Sequence, residues 1–436
     1  MKYSIVTFGC RVNHADSLRI EEDLRATGGV AAASRDADLV VVNTCSVTAT
    51  ADQGARQTIR RIARENPAAR IVATGCYATR CEEEVAALPN VVRVVRNQDK
   101  LDLVSRSDQH DGPCGAPIEP GIAGRTAFTI RAQTGCEERC SYCIIPSTRG
   151  ASRSLPVPAL AREVDRVAKA GFKEVVLTGV HLGSYGRDLS PAASLLDLLR
   201  ALDRTREDVT FRISSLEPMD CTPDVVAFVA ASGRFLPHFH LPLQHASDRM
   251  LAAMRRPYTL ADYRALVDAI VQRLPDASIG SDLIAGFPGE TAQDFAANLA
   301  YLPSSPLTHL HVFPYSDRPG TAASAMGDKV GGGTVRDRAR QLRDIGEALT
   351  RRFRESQEGT VRPGLTLEDG TLVVTDNYLK VRIPPGLPRN QRIHVRLRTV
   401  DGQLTGSPIA RSGDPRLTAS SALRGAGRAT SAASTR

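Results

Sequence analysis

The chain contains no tryptophan, and only 5% of its residues are aromatic. That scarcity argues against an extended platform on which successive bases of a single strand would stack. No apolar run approaches the roughly 20 residues that a membrane helix needs, so no membrane role is expected. Residues 1–20 lack the long apolar stretch and small-residue cleavage site of a secretory signal, and a cytoplasmic protein is expected. Nine cysteines spread unevenly over 436 residues argue against a disulfide framework and for metal binding or redox chemistry. A chain of this length exceeds one ordinary domain, so two or three units with separate cores are expected.

Evenness of charge is also missing. The formal net charge is +8, yet residues 336–436 hold 19 Lys or Arg against 10 Asp or Glu, a net +9 that leaves residues 1–335 at −1. A solvated basic tail is one reading. A basic module attached to a neutral body, as a handle for a phosphate backbone, is the favoured one.

Cys136, Cys140 and Cys143 follow the spacing C-x3-C-x2-C, and no fourth cysteine lies close behind. Cubane iron-sulfur clusters are normally held by four thiolates, so three from one loop leave one iron open. Zinc is the alternative, since thiolates two to four residues apart also suit a tetrahedral site. It would want a fourth ligand, for which His181 and His245 are remote candidates. Tyr142, Ile144, Ile145 and Pro146 look like cover for a buried cluster, which is the favoured reading.

Hydrophobic periodicity divides the chain into three units. Residues 1–105 alternate strands near 3–8, 39–42, 71–73 and 91–95 with helices near 15–26, 52–64 and 81–88, which predicts a parallel α/β sheet. Cys10, Cys45 and Cys76 each follow directly on one of these strands. Ligands of open α/β sheets collect beyond the carboxyl ends of strands, so a second three-cysteine site is expected there. Any one of them alone would read as a small buried hydrophobe. Cys81, Cys114 and Cys221 lack such placement and are taken as non-ligands.

Residues 106–124, rich in Asp, Gly and Pro, read as a linker. Residues 125–333 repeat strand and helix, with strands near 127–132, 174–178, 209–213, 238–243, 278–285 and 309–313, and helices near 157–170, 193–202, 223–231, 260–274 and 292–302. Six such units predict an incomplete (βα)6 barrel, whose chemistry belongs at the carboxyl ends of its strands. The Cys136 triplet falls after the first of them. A connecting helix is expected over 334–358, closed by Gly359. Strands near 365–367, 371–375, 379–383 and 392–399 then predict a small antiparallel β barrel within 359–411. The tail, 412–436, has the composition of a disordered segment.

Both cysteine sets, in this order, sit among local motifs: GCRVN at 9–13, NTCSVT at 43–48, TGCY at 74–77, PSTRG at 146–150, HLPLQ at 240–244, MRRPYT at 254–259, DLIAGFPGE at 282–290 and HVFPYSDRPGT at 311–321. Together they resemble the radical S-adenosylmethionine (SAM) methylthiotransferase family over nearly the whole chain except the tail. The resemblance implies an N-terminal methylthiotransferase domain with an auxiliary 4Fe-4S cluster on Cys10, Cys45 and Cys76. It also implies a radical SAM core with a second 4Fe-4S cluster on Cys136, Cys140 and Cys143, and a TRAM-like RNA-binding module. In that family SAM chelates the open iron and is cleaved to a deoxyadenosyl radical.

Members replace a C–H bond by C–S–CH3, on adenosine 37 next to the tRNA anticodon or on a ribosomal-protein aspartate. The basic C-terminal module favours RNA. Arg11, Val12, Val47, Thr48, VFPYS at 312–316 and TDNYLKV at 375–381 look most like the branch that modifies N6-threonylcarbamoyladenosine. The N6-isopentenyladenosine branch and the aspartate branch are alternatives, as is a non-enzymatic iron-sulfur protein that binds RNA or senses redox state. By resemblance, Thr178, Gly179, Ser214, Glu217, Gln244, and Ile284 to Gly286 would contact SAM, each with strand-end packing as its plain alternative. Glu290 suits a helix start. Arg149, Arg153 and Arg318 are candidates to guide the anticodon stem-loop, or are simply solvated. A flavodoxin- or ferredoxin-like electron donor is expected, and the sulfur donor is unidentified.

Overall fold

The computed structural model describes residues 1–100, 103, 118–120, 126–400 and 402–409. Cys114, most of the expected linker and the expected tail lie outside the described residues. The first unit runs β1 (Lys2–Thr7), α1 (Arg11–Ala26), β2 (Val30–Ala31), β3 (Leu39–Thr44), α2 (Ala49–Glu65), β4 (Arg70–Gly75), α3 (Cys76–Arg80), α4 (Glu82–Ala86) and β5 (Val91–Val95). Its strands form a parallel sheet in the order β2-β1-β3-β4-β5. β3 is covered on both faces, as a central parallel strand must be. Val40 and Val42 meet Ile59 and Ile62 of α2 on one side, and Val41 meets Ile20 and Leu24 of α1 on the other. The helix expected near 81–88 is α4, and the short α3 precedes it, the two separated by Cys81 at φ −124° and ψ 54°.

The second unit contains β6 (Phe128–Arg131), β7 (Gln133–Thr134), α5 (Ile145–Arg149), β8 (Arg153–Ser154), α6 (Val157–Lys169), β9 (Glu174–Thr178), α7 (Leu195–Asp203), β10 (Thr210–Ile213), α8 (Pro223–Ala231), β11 (His238–His240), α9 (Asp248–Ala253), α10 (Leu260–Arg273), β12 (Ser278–Ala285), α11 (Ala292–Tyr301) and β13 (His309–Pro314). β6, β9 and β10 form one parallel sheet; β11, β12 and β13 form another. Single parallel bridges, Phe211 to Phe235 and Ser215 to His240, join them into one open curve of six strands in chain order. Alternation along β12 sends Ile279, Leu283 and Ala285 into the core shared with the outer helices, and Gly280, Asp282 and Ile284 to the inner side. The ladder of β11 stops at His240, earlier than expected: Leu243 N donates to Ser281 Oγ at 3.0 Å, and the next bond to the β12 backbone, Gln244 N to the Asp282 carbonyl, is shifted by one residue. α7, α10 and α11 each start with a capping box, at Ser194 and Asp197, Thr259 and Asp262, and Thr291 and Asp294.

The third unit has α12 (Gly332–Ser356), β14 (Val361–Leu367), β15 (Leu372–Thr375), β16 (Lys380–Arg382), β17 (Arg392–Val400) and β18 (Gln403–Ile409). The strands close in the order β14-β15-β16-β18-β17, antiparallel except for a parallel contact of β16 with β18. This barrel is fastened to the second unit by buried polar contacts. Asn377 donates to the Asp276 carbonyl at 3.0 Å and to Gln357 at 2.9 Å, while Arg212 pairs with Glu174 and donates to the Asp376 carbonyl at 2.9 Å. Among the described residues no helix is long and apolar enough to cross a membrane.

Candidate active site

Cys10, Cys45 and Cys76 stand at the carboxyl ends of the neighbouring strands β1, β3 and β4, with Cys10 just before α1 and Cys76 opening α3. Gly9, at φ +91°, lets the first loop pass the second: a Cβ there would lie 2.5 Å from Cys45 Sγ. Asn13 ties the same loops by donating to the Phe8 and Thr44 carbonyls at 2.8 and 2.9 Å. Cys45 and Cys76 are buried; Cys10 is exposed. Burial and the neighbouring thiols push the Cys45 thiol up to about 11. Burial also acts on Cys76, but the cations of Arg149 and Lys100 outweigh it and hold that thiol below its ordinary value. A positive surround of this kind favours thiolates, the form that binds metal.

The second set lies on the loop after β7. Gly135, at φ +78°, brings it so close to residue 151 that a Cβ would lie 1.9 Å from the Ala151 carbonyl oxygen, and Cys136 N donates to the Gly150 carbonyl at 3.0 Å. Ser141 anchors the middle of the loop on the Ala253 carbonyl at 2.8 Å. Tyr142 packs against Met250, Met254, Ile284 and Phe287, an apolar cover over the loop. Burial raises Cys140 and takes Cys143 up to about 12. Two polar pairs touch the sulfurs. Arg256 Nη1 lies 3.1 Å from Cys140 Sγ and its Nη2 is ion-paired with Glu217. His181 Nδ1 lies 3.8 Å from Cys136 Sγ, with Asp220 at 2.7 Å on its other nitrogen. Burial opposes the charge on His181, yet Asp220 and Cys136 raise it to about 10.

Two sulfurs bound to one zinc, each about 2.3 Å from it, cannot be more than about 4.6 Å apart. Among the described residues the one trio of ligand atoms all within 4.8 Å of one another is His240, Asp282 and His311. Neither cysteine set forms such a trio, and each offers three thiolates, the ligand count of a cluster with one open iron. His245, a remote zinc candidate, is committed to Glu290 at 3.1 Å and Asn298 at 2.9 Å. The donor sets fit clusters with three protein ligands each.

Asp16 joins the two sites. Its side chain is fully buried and pairs with Lys100 at 2.9 Å, with Arg131 of β6, and with Arg149 at 3.3 Å. Despite burial, these cations hold its carboxyl well below the usual carboxylate range. Arg149 also donates to Asn13 Oδ1 at 2.6 Å. It therefore reaches from the helix that follows the Cys136 triplet to the side of Cys76. Arg149 is thus no free guide for RNA, contrary to expectation: it is 4% exposed and ion-paired. Arg318 is corrected in the same way, being 4% exposed and paired with Asp52 at 2.7 Å. Arg153 remains exposed.

Of the expected SAM contacts, Thr178 ends β9 with Gly179 next, Ser214 follows β10, Gln244 lies beyond β11, and Ile284 to Gly286 run over the end of β12. Ser214 Oγ donates to Thr178 Oγ1 at 3.2 Å. Gly179 is packed on Gln133, whose Oε1 would lie 3.1 Å from a Cβ. Gln244, at φ +68°, exchanges backbone hydrogen bonds with Asp282 at 2.8 Å and Ile284 at 2.9 Å. Glu217 is taken by Arg256. Gly286, at φ +77°, abuts Val335, and its N–H is accepted by Glu290. Glu290 does not serve the dipole of α11, for which Thr291 is the cap; it is a buried clamp among Gly286, His245 and Arg338. Sequence reasoning passed over Asp16, Lys100, Asp220 and Arg256 as site residues, although Arg256 lies in one of the quoted motifs.

Residues 2–96 match the family model described as the uncharacterized protein family UPF0004, and residues 130–302 match the radical SAM superfamily. The chain is 34% identical to threonylcarbamoyladenosine tRNA methylthiotransferase MtaB of Aquifex aeolicus (strain VF5), over 88% of this chain and 96% of that protein. Identity to the protein of the same name from Bacillus subtilis (strain 168) is also 34%, over 86% and 88%. The tRNA-2-methylthio-N(6)-dimethylallyladenosine synthase of Acidothermus cellulolyticus is 32% identical over 90% and 82%. Among solved structures, the radical S-adenosylmethionine methyltransferase TsrM from Kitasatospora setae shares the fold, with a TM-score of 0.53 at 15% identity over 74% of this chain and 76% of that one.

Proposed function

The chain belongs to the radical SAM methylthiotransferases, and on that premise we propose that it is the tRNA N6-threonylcarbamoyladenosine methylthiotransferase, acting at C2 of the adenine next to the anticodon. The observation that carries the reading is the pair of three-cysteine sites, on two units, bridged by Arg149 and Asp16. Two 4Fe-4S clusters, one on Cys10, Cys45 and Cys76 and one on Cys136, Cys140 and Cys143, would supply sulfur handling and the reductive cleavage of SAM, respectively.

The protein's own residues hold and shield. Arg256 and His181 present N–H groups to Cys140 and Cys136, and Glu217 and Asp220 hold those donors in place, as outer partners of metal ligands do. Thr178, Gly179, Ser214, Glu217, Gln244, Ile284 and Gly286 would seat SAM; their support is their position at or after the carboxyl ends of barrel strands. Residues 1–105 would be the methylthiotransferase domain, 125–333 the radical SAM core, and 359–411 a TRAM-like module whose exposed Lys380, Arg382, Arg396 and Arg398 suit phosphate. The partner is the tRNA anticodon stem-loop, with electron and sulfur donors still to be found.

Anaerobically reconstituted protein, SAM, a reductant, sulfide and tRNA bearing threonylcarbamoyl- or isopentenyl-adenosine test the proposal by mass spectrometry of the nucleosides. A methylthio product on the threonylcarbamoyl substrate alone is expected. Product on the isopentenyl substrate alone would overturn the branch, and absence of SAM cleavage would overturn the enzymatic reading.

A further inference from the structure

The inner side of the six-strand curve carries His238 and His240 from β11, Asp282 from β12, and His309 and His311 from β13. His240 and His311 both bond Asp282 Oδ1, at 2.8 and 3.2 Å, so both imidazoles are committed to that carboxylate. Tyr378, at φ +68° in the turn between β15 and β16, reaches this group from the C-terminal barrel. Its ring centre lies 4.5 Å from that of His238 and 4.8 Å from the Arg212 guanidinium carbon. Arg11, the residue after Cys10, meets the same ring at 5.5 Å and donates through Nη2 to the phenol oxygen at 2.8 Å. All three units thus converge on one aromatic ring.

Arg11 differs from the other cations gathered here. Arg149 and Arg212 have carboxylate partners; among the described residues the only side chain bonded to Arg11 is the neutral phenol of Tyr378. Its Nη1 is buried and has no hydrogen-bond partner among the described residues. A buried N–H of a charged group left unpaired costs free energy unless a ligand completes it, and a guanidinium edge is complementary to a carboxylate or phosphate. Two anions are available on the proposed substrate: the phosphodiesters of the RNA and the carboxylate at the end of the threonylcarbamoyl group. The second is favoured because a base must leave the stack to be modified and so carries its own carboxylate to the site; the Arg11–Tyr378 contact is open to solvent, with Tyr378 36% exposed. Position favours it too. C2 and the N6-bearing carbon flank N1 on one edge of adenine, and Arg11 adjoins a cysteine proposed to hold the sulfur-handling cluster.

We infer that Arg11 is a specificity-determining residue that takes the carboxylate of the threonylcarbamoyl group, held in place by the Tyr378 hydroxyl. This rests on the proposed substrate branch. The isopentenyl group has no carboxylate, so the same contact would select against it.

The test uses full-length reconstituted protein and three anticodon stem-loop RNAs, carrying threonylcarbamoyladenosine, its carboxamide, or unmodified adenosine. Affinity is read by fluorescence anisotropy, with iron measured for every variant. Wild-type protein should bind the carboxylate RNA about 10- to 100-fold more tightly than the carboxamide, the range of a charge-assisted hydrogen bond of about 1.5–3 kcal/mol. Arg11→Gln should bring the two to equality. Tyr378→Phe, remote in sequence from the cysteine loop, should shrink the ratio several-fold with iron retained, which keeps the test open if Arg11→Gln loses iron. Equal weakening of all three RNAs by Arg11→Gln would mean a phosphate contact and overturn the inference, as would an undiminished ratio. Methylthiolation of the threonylcarbamoyl RNA by wild-type protein, alongside either of those results, would leave the branch standing and remove only the role of Arg11.

Discussion

The two cysteine trios, proposed above as ligand sets of equal size, are assembled from different backbones. Cys136, Cys140 and Cys143 share one loop, pinned at Gly135, Gly150 and Ser141, so their spacing is a local property. Cys10, Cys45 and Cys76 come from three strand ends, and their spacing depends on the register of β1, β3 and β4 and on Asn13. Their charged neighbours differ as well. Arg256 and His181, beside the loop site, belong to the same unit as its cysteines, whereas Arg149 reaches Cys76 from the neighbouring unit. The strand-end site is therefore complete only while the two units stay docked, and the loop site does not share that dependence.

Removing one ligand from each site separates them most sharply. Cys140→Ala should abolish both SAM cleavage and methylthiolation. Cys76→Ala should abolish methylthiolation while deoxyadenosine is still released from SAM under reductant, with iron falling by about four atoms per chain, one cubane. Substantial methylthiolation by Cys76→Ala would remove the strand-end site from the chemistry.

The docking contact comes next. Asp16→Asn leaves Lys100 and Arg149 buried without their carboxylate, a change that typically costs about 3–5 kcal/mol. The urea midpoint should fall, and iron should be lost from the strand-end site before the loop site. Loss in the reverse order would break the comparison. The folded-state pKa of Asp16 is depressed, so its contribution is fully present above the unfolded carboxyl value of about 3.9 and is lost only as pH falls through its lower folded value. The stability difference between wild type and Asp16→Asn should accordingly be flat from about pH 5 to 8, both far above those values.

This asymmetry also governed what could be read from the chain. The triplet was legible as a motif, and the other three cysteines were legible because each follows a run of strand residues. The fates of Arg149 and Arg318 were not legible, because Asp16 lies 133 positions from the first and Asp52 lies 266 from the second. β18 escaped notice for a local reason: Gly406 and Pro408 read as turn residues, yet pairing with β17 and closure of the barrel override that signal. Arg11 was legible only as part of the motif after Cys10, because its partner Tyr378 lies 367 positions away.

Arg256→Gln probes the loop site without touching a ligand. It removes the cation bonded to Cys140 and releases Glu217. Outer-partner substitutions at metal sites typically cost about 10- to 100-fold, so deoxyadenosine formation should slow by that factor while iron content stays near the wild-type value. An unchanged rate would mean that Arg256 only supports the fold. The strand-end site should keep its iron in either case, since its nearest cations are Lys100 and Arg149.

The smallest effect is expected where a cysteine belongs to neither site. Cys221 is buried among Val225, Val226 and Phe235 in the barrel core. Cys221→Ala deletes one sulfur from that packing and should cost about 1 kcal/mol, as the loss of a single buried methyl-sized group does, with iron and activity unchanged. Cys81→Ala, half-buried at the break between α3 and α4, should stay within about 0.5 kcal/mol of wild type. Iron lost from either variant would show a thiol doing ligand work outside the two sets and would undo the comparison. Iron retained in both would leave six thiolates for two three-thiolate sites among the described cysteines, so that the contrast between one loop and three strand ends rests on ligand count as well as on geometry.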